Sequence, residues 1–309
     1  MGQVQFGLLV PEYPFDTSRR RLYMEDVNRL LNYVKGHYDS AWFIDHLDGL
    51  MLEGWTALTY LSALHPELLW GHSVLCQSFR NPALLAKMSA TLHYMSGGRF
   101  VLGIGAGGQE TDYLSYGYPF PRGSIRVAEL DEALQVIKAM WTEERATFEG
   151  RHYSVKEARC EPKPDRMPTL MVGAFKPHML RLAARHADWW NVSSTGIAGY
   201  RRYLEEFRRA CDEVGRDPAT ARLTWGGGCV CAPTEAEVAD LAAERLQLLG
   251  EECAYQPGED FVGTPAQIIE QMQPFIELGV DYFMLDCGGF PRLTTHEMLV
   301  NEVLPVLNR

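Results

Sequence analysis

Short apolar runs that do not alternate with polar residues recur along almost the whole chain, each followed by a stretch of helical periodicity. No other feature constrains the fold as strongly. The runs are VQFGLLV (Val4–Val10), AWFI (Ala41–Ile44), LLWGHSVLC (Leu68–Cys76), FVLGIG (Phe100–Gly105), TLMVG (Thr169–Gly173), WWNV (Trp189–Val192), LTWGGGCVC (Leu223–Cys231) and YFMLD (Tyr282–Asp286). A strand covered by helices on its outer face and by a core on its inner face is apolar throughout, so runs of this kind predict a parallel sheet. Helices are expected at about Arg21–Tyr33, Trp55–Leu64, Pro82–Met95, Pro177–Ala187, Tyr200–Val214, Glu235–Leu249, Pro265–Leu278 and Glu297–Leu307. Asn81 before Pro82 is an N-cap signal, and Ser124 is expected to cap a helix running to Trp141. Gly105–Gly123 reads as a long loop, FEGRHYSV (Phe148–Val155) as a small hairpin, and the glycines of Leu223–Cys231 as an interruption of that strand. Eight strand–helix units in 309 residues predict a (β/α)₈ TIM barrel with insertions in its βα loops, a single domain spanning residues 1–309, rather than a doubly wound sheet.

Composition narrows the function. The formal charge is −11, and the basic clusters are Arg19-Arg20-Arg21 and a few helical Arg pairs, so a nucleic-acid partner is not expected. No apolar run nears the ~20 residues of a membrane span, and the first residues lack the basic segment of a signal peptide, so a cytoplasmic protein without a membrane partner is expected. Seven cysteines at scattered spacings, with Cys229 and Cys231 on one strand face, read as buried thiols and give no metal-ligand pattern. No HExxH, GxSxG or Walker sequence is present, which sets aside zinc hydrolase, serine hydrolase and nucleotide triphosphatase chemistry.

In a barrel of this kind the active site lies where strands end and βα loops begin. Asp45-His46 follows the second strand, Gln77-Ser78-Phe79-Arg80 the third, Gly105-Ala106-Gly107-Gly108-Gln109 the fourth, Gly173-Ala174-Phe175-Lys176 the fifth and Ser193-Ser194-Thr195 the sixth. His46 at the rim can exchange a proton or donate a hydrogen bond near neutral pH. The Gly105–Gly108 run lacks Rossmann spacing; a tight turn and a close backbone approach to a ligand are both open readings. Gly173 to Pro177 is a turn into a helix, suited to a phosphate or simply structural. Trp189-Trp190-Asn191 and Tyr113, Tyr116 and Tyr118 are either core packing or the lining of an apolar pocket.

These segments in their order, above all SGGRFVLGIGAG followed by RVAELDEAL, together with AWFIDHL, RNPALLAKMSATLHYM and PTLMVGAFKPHMLRLAARHADWWN, resemble the luciferase-like flavin and deazaflavin oxidoreductases, most of all the F420-dependent branch. The resemblance implies a cofactor, coenzyme F420 or FMN, at the C-terminal mouth of the barrel. It implies a catalytic His46. Asp45 would lie near the ring, Cys76, Gln77 and Ser78 along its face, where the family often carries a cis peptide that does not precede proline. Gly105, Ala106, Gly107 and Gln109 would approach the ribityl chain, and Gly173, Ala174 and Phe175 the phosphate. Lys176 and Arg80 are the candidate cations for an anionic tail, and Arg126, Glu129, Asp131 and Glu132 are read mainly as ion pairs anchoring a helix. Ala174 replaces the second glycine of the usual pair. The implied activity is F420-dependent hydride transfer or FMN-dependent monooxygenation of a small organic substrate, with a flavin reductase as partner in the FMN case and a homodimer common in the family. The rival readings are a non-catalytic flavin-binding or structural barrel, with a side-chain-filled mouth, and a Schiff-base lyase using Lys176.

Overall fold

The computed structural model describes residues 3–11, 22–47 and 52–308. The Arg19–Arg21 cluster and the expected start of the first helix lie outside these residues. Among the described residues the chain runs β1 (Gln5–Leu9), α1 (Tyr23–Val34), β2 (Ser40–Phe43), α2 (Gly54–Leu64), β3 (Leu69–His72), β4 (Leu75–Cys76), α3 (Pro82–Met95), β5 (Phe100–Gly105), α4 (Glu110–Ser115) and α5 (Gly123–Thr142). A hairpin of β6 (Ala146–Glu149) and β7 (Ser154–Ala158) follows, then β8 (Thr169–Gly173), α6 (Pro177–His186), β9 (Trp189–Ser193), α7 (Ile197–Glu213), β10 (Arg222–Cys231), α8 (Glu235–Leu249), β11 (Phe261–Gly263), α9 (Pro265–Glu277) and β12 (Tyr282–Cys287). The chain closes with α10 (Thr294–Met298), a wider π-type turn over Leu299–Val303 and α11 (Leu304–Leu307).

The parallel strands pair in the order β12-β1-β2-β3-β5-β8-β9-β10, and β10 returns to β12, closing an eight-stranded (β/α)₈ barrel. Register fixes the closure: Gln5 pairs with Tyr282, Leu8 with Ala41, Trp42 with Gly71, and Thr224 with both Tyr282 and Asn191. The barrel is filled, as its apolar strands require. Trp42, Met171, Tyr282 and Met284 are buried inside it, with Trp189 packed against them. Glycines on the neighbouring strands make room for Trp42: a Cβ on Gly7 would sit 2.5 Å from the indole nitrogen, and one on Gly71 2.4 Å from Cζ3. The Trp42 N–H and the Tyr282 hydroxyl both donate to Ser40 Oγ at 2.5 Å, so the polar atoms of this plug are paired.

The structure corrects several expectations. The third apolar run is two strands, because the chain turns at a cis Ser73–Val74 peptide, three residues before Cys76. The expected loop after β5 contains α4, and Ser124 lies inside the first turn of α5, whose N-cap is Arg122 without a side-chain cap. Gly226–Gly228 do not interrupt β10, which is continuous and pairs with β9, β12 and β11. No helix among the described residues is long and apolar enough to cross a membrane.

Candidate active site

One half of the barrel mouth, where β2, β4, β5, β8 and β9 end, encloses a cavity of about 570 Å³. Its walls are largely apolar, with Ile44, Val74, Leu75, Phe79, Val127 and Met179 among them, and its polar atoms are few and placed at the rim. Most of the rim groups follow the ends of these strands, and α4 and α5 supply the others.

At the end of β2, Asp45 and His46 diverge. Asp45 is buried, and its carboxylate is fully engaged: Arg80 donates to both oxygens, at 2.7 and 2.9 Å, and the Cys76 amide donates at 2.9 Å. Arg80 also donates at 2.6 Å to Glu53, the N-cap of α2. Burial works against the Arg80 cation, but the two carboxylates more than offset it and hold its pKa above the ordinary value. Arg80 therefore ties β2, β4 and α2 together and is committed to Asp45 and Glu53, which corrects the expectation of a cation for an anionic tail. Asp45 and His46 both border the cavity, and His46 Nδ1 lies 2.7 Å from Asp112 Oδ2. Asp112 belongs to α4 and also accepts from the Leu47 amide at 3.3 Å.

The residues after β4 separate. Cys76 lines the cavity, with its Sγ 3.1 Å from the Tyr113 hydroxyl; burial raises both pKa values, so neither group carries charge near neutrality. Gln77 and Ser78 do not line the cavity. A 3-10 turn over Gln77–Phe79 swings them behind it, where Gln77 bonds Ser78, Glu129 and Tyr153, and Ser78 accepts from Tyr113. Gly105, Ala106, Gly107 and Gln109 do line it. Gly107 has a φ of +73°, and a Cβ there would sit 2.2 Å from the Tyr113 oxygen and 2.6 Å from Cys76 Sγ, so only glycine fits. At Gly108 a Cβ would meet nothing within 4 Å, which marks open space.

Gly173, Ala174 and Phe175 form the opposite wall, leading into the N-terminus of α6. Its N-cap Lys176 offers no side-chain cap and Pro177 has no N–H, so the amides that follow, of His178 and Met179, open the helix uncapped beside the cavity. Lys176, His178 and Arg126 bring cationic or titratable side chains to this rim, and Lys176 opens a helix rather than ending a strand. Glu132 accepts the backbone amides of Arg151, His152 and Tyr153, and Asp131 bonds Arg185 and His186, so these two anchor α5 as expected, whereas Arg126 reaches the cavity. Among the aromatics, Tyr113 lines the cavity, Trp190 stacks on Phe207 in the outer core, and Tyr116 is exposed.

Sequence reasoning missed Asp112 and His178. Asp112 sits seven residues beyond the end of β5, and its one signal was the acidic QETD opening a short helix. His178 was hidden inside a helix start already assigned to structure. His72 was missed too: it is buried at the end of β3, stacked on Trp55, with no partner for either ring nitrogen among the described residues, and burial lowers its pKa to about 4.

Comparison with known proteins gives a consistent pattern. Residues 25–282 match the family model described as luciferase-like monooxygenase. The chain is 27% identical over 300 residues to an F420-dependent glucose-6-phosphate dehydrogenase of Kineococcus radiotolerans, covering 87% of this chain and 88% of that one. It is 36% identical over 164 residues to the enzyme of the same name from Microbacterium testaceum, covering 51% of this chain and 48% of the other. The solved structure of an F420-dependent secondary alcohol dehydrogenase, in complex with an F420–acetone adduct, superposes with a TM-score of 0.82 at 19% identity over the whole of both chains, a likeness of fold.

Proposed function

The chain belongs to the luciferase-like monooxygenase family, and from that premise we propose that it is a flavin-type oxidoreductase that holds coenzyme F420 in the cavity between β2 and β9 and acts there on a small organic substrate. The observation that carries this reading is the cavity itself. Its volume of about 570 Å³ lies within the range of small-molecule sites, and its walls are apolar with a few polar groups at the rim. Space is open at Gly108, and uncapped amides of α6 stand beside Lys176 and His178. These residues fit a flat ring with a phosphorylated tail.

Ile44, Val74, Cys76 and Met179 would bound the ring, Gly105 to Gly107 and Gln109 its linker, and Gly173 to Lys176 with His178 its phosphate. When bound, the ring supplies the hydride chemistry. The chain's own residues do the rest. Apolar walls exclude water, the Asp45–Arg80–Glu53 clamp holds the rim, and His46 holds or releases a proton beside the reacting atoms. A filled mouth would have favoured a non-catalytic barrel, and the β2–β9 half of this one is open.

FMN is the rival cofactor and would bring a flavin reductase as partner. A homodimer is supported by apolar side chains left exposed on α2 (Tyr60, Leu64) and α3 (Leu84, Met95). Titrating the purified protein with F420 and with FMN, followed by ring fluorescence, tests the proposal. Saturable F420 binding, weakened roughly tenfold by Lys176→Ala, which removes a charge-assisted contact, is expected. Binding of FMN alone moves the reading to a monooxygenase, and binding of neither ends it.

A further inference from the structure

Two carboxylates lie close to His46, and the sequence neighbour is not its partner. Asp45 is saturated by Arg80 and the Cys76 amide. The ring nitrogen Nδ1 bonds instead to Asp112, brought from sixty-six residues away by α4. We infer that Asp112 is a positioning residue that fixes the His46 imidazole with hydrogen on Nδ1 and leaves Nε2 as the nitrogen that exchanges a proton with substrate. The part concerning substrate rests on the proposed function; the part concerning the ring does not.

The chemistry of the pair dictates the tautomer. An ionised carboxylate only accepts, so at 2.7 Å from Asp112 Oδ2 the ring must donate from Nδ1. Nε2 has no protein partner among the described residues, and the side chain, 29% exposed, borders the cavity. Asp112 is held rigid from three directions. Its Oδ1 accepts from the Leu47 amide, its side chain is 6% exposed, and the next residue, Tyr113, anchors α4 through Cys76 and Ser78. A neutral ring so oriented presents a lone pair and accepts a proton; the charged ring presents an N–H and returns it.

A proton acceptor so placed suits a carbinol or carbonyl compound, whose oxygen loses or gains a proton as its carbon loses or gains hydride. In an oxidation the hydroxyl proton would pass to Nε2 as the O–H electron pair closes the C=O bond, and a bound oxidised deazaflavin would supply the acceptor for the C–H hydride. The reduction returns both.

The isosteric variant Asp112→Asn makes a sharp test. The Leu47 amide requires an acceptor, so the new amide oxygen takes the Oδ1 position and its NH₂ faces Nδ1. Nδ1 must then accept, and the proton moves to Nε2. Long-range ¹H–¹⁵N spectra of the protein without cofactor, with the His46 signals identified by their loss in His46→Gln, read the tautomer directly. The wild type is expected to carry its hydrogen on Nδ1 and Asp112→Asn on Nε2. With F420 bound, kcat for a secondary alcohol is expected to fall about 100-fold or more in Asp112→Asn, with KM and cofactor affinity little changed and partial recovery in Asp112→Glu. A wild-type ring protonated on Nε2, an unchanged tautomer in the variant, or a changed tautomer with kcat intact would each overturn the inference. The wild-type spectrum decides the first point even if the variant does not fold. Failure of F420 to bind, with the tautomers as expected, counts against the proposed cofactor and leaves the dyad standing.

Discussion

The two halves of the barrel mouth are built from the same ingredients, glycines at strand ends and a rim of charge, and use them oppositely. On the β2–β9 side the rim encloses a cavity, and space stands open at Gly108. On the β10–β12 side the segment between α8 and β11 folds over the strand ends. A Cβ on Gly228 would sit 2.8 Å from the Tyr255 ring, and one on Gly288 2.4 Å from its oxygen. Asp260 accepts the amides of Gly228 and Gln256, both at 2.8 Å, and Arg245 bonds Asp286 and the Cys253 carbonyl while lying 4.7 Å from the Tyr255 ring centre. Glycine therefore admits a neighbouring side chain in both halves, at Gly107 as at Gly228, while at Gly108 of the open half it borders open space. The lesson is that a glycine-rich strand end marks close approach, not the identity of what approaches.

The anchors differ as well. The open half rests on a buried pair, with the Asp45 side chain 0% and Arg80 11% exposed; in the filled half Asp286 is 25% exposed. Arg80→Met strands a buried carboxylate, and a loss of about 3–5 kcal/mol in denaturant unfolding is expected, whereas Arg245→Met is expected to cost about 1 kcal/mol or less. Equal losses would erase the distinction. Next in size, His46→Ala is expected to lower turnover about 100-fold while cofactor affinity moves less than about threefold, and Tyr255→Phe in the other half to leave turnover nearly unchanged.

Acid should strike the open half first. His72 is buried neutral, with a folded pKa of about 4 against 6.5 when unfolded. Its contribution is fully present above pH 6.5 and is lost as pH falls from 6.5 toward 4, because the unfolded chain takes up the proton in that window. Between pH 7 and 5 the wild type is expected to lose about 2 kcal/mol more stability than His72→Phe, which keeps a flat ring on Trp55. Parallel pH profiles for the two proteins would refute this. The filled half is expected to respond at Gly228→Ala. It should cost about 1–2 kcal/mol, loosen the segment carrying Tyr255 to protease, and leave cofactor affinity unchanged.

Most of the barrel was legible because buried parallel strands are continuously apolar; β5 and β8 match their apolar runs residue for residue. The six-residue α4 was not, since so few residues carry no helical period, and with it went Asp112. Strand ends located His46, Cys76 and the glycines of the cavity rim. They did not reveal that Gln77 and Ser78 turn away, because a single 3-10 turn reverses facing without a compositional mark. Nor did adjacency reveal which carboxylate serves His46. Asp45 stands beside it in sequence, but the choice is made by Arg80, which consumes Asp45 and leaves the imidazole to Asp112.

The most direct test is a crystal structure of the protein soaked with F420. The ring is expected between Val74 and Met179 with His46 Nε2 facing it, and the phosphate at the first turn of α6. A cofactor seated over β10–β12 in place of Tyr255, or a cavity still empty at saturating concentration, would contradict the account.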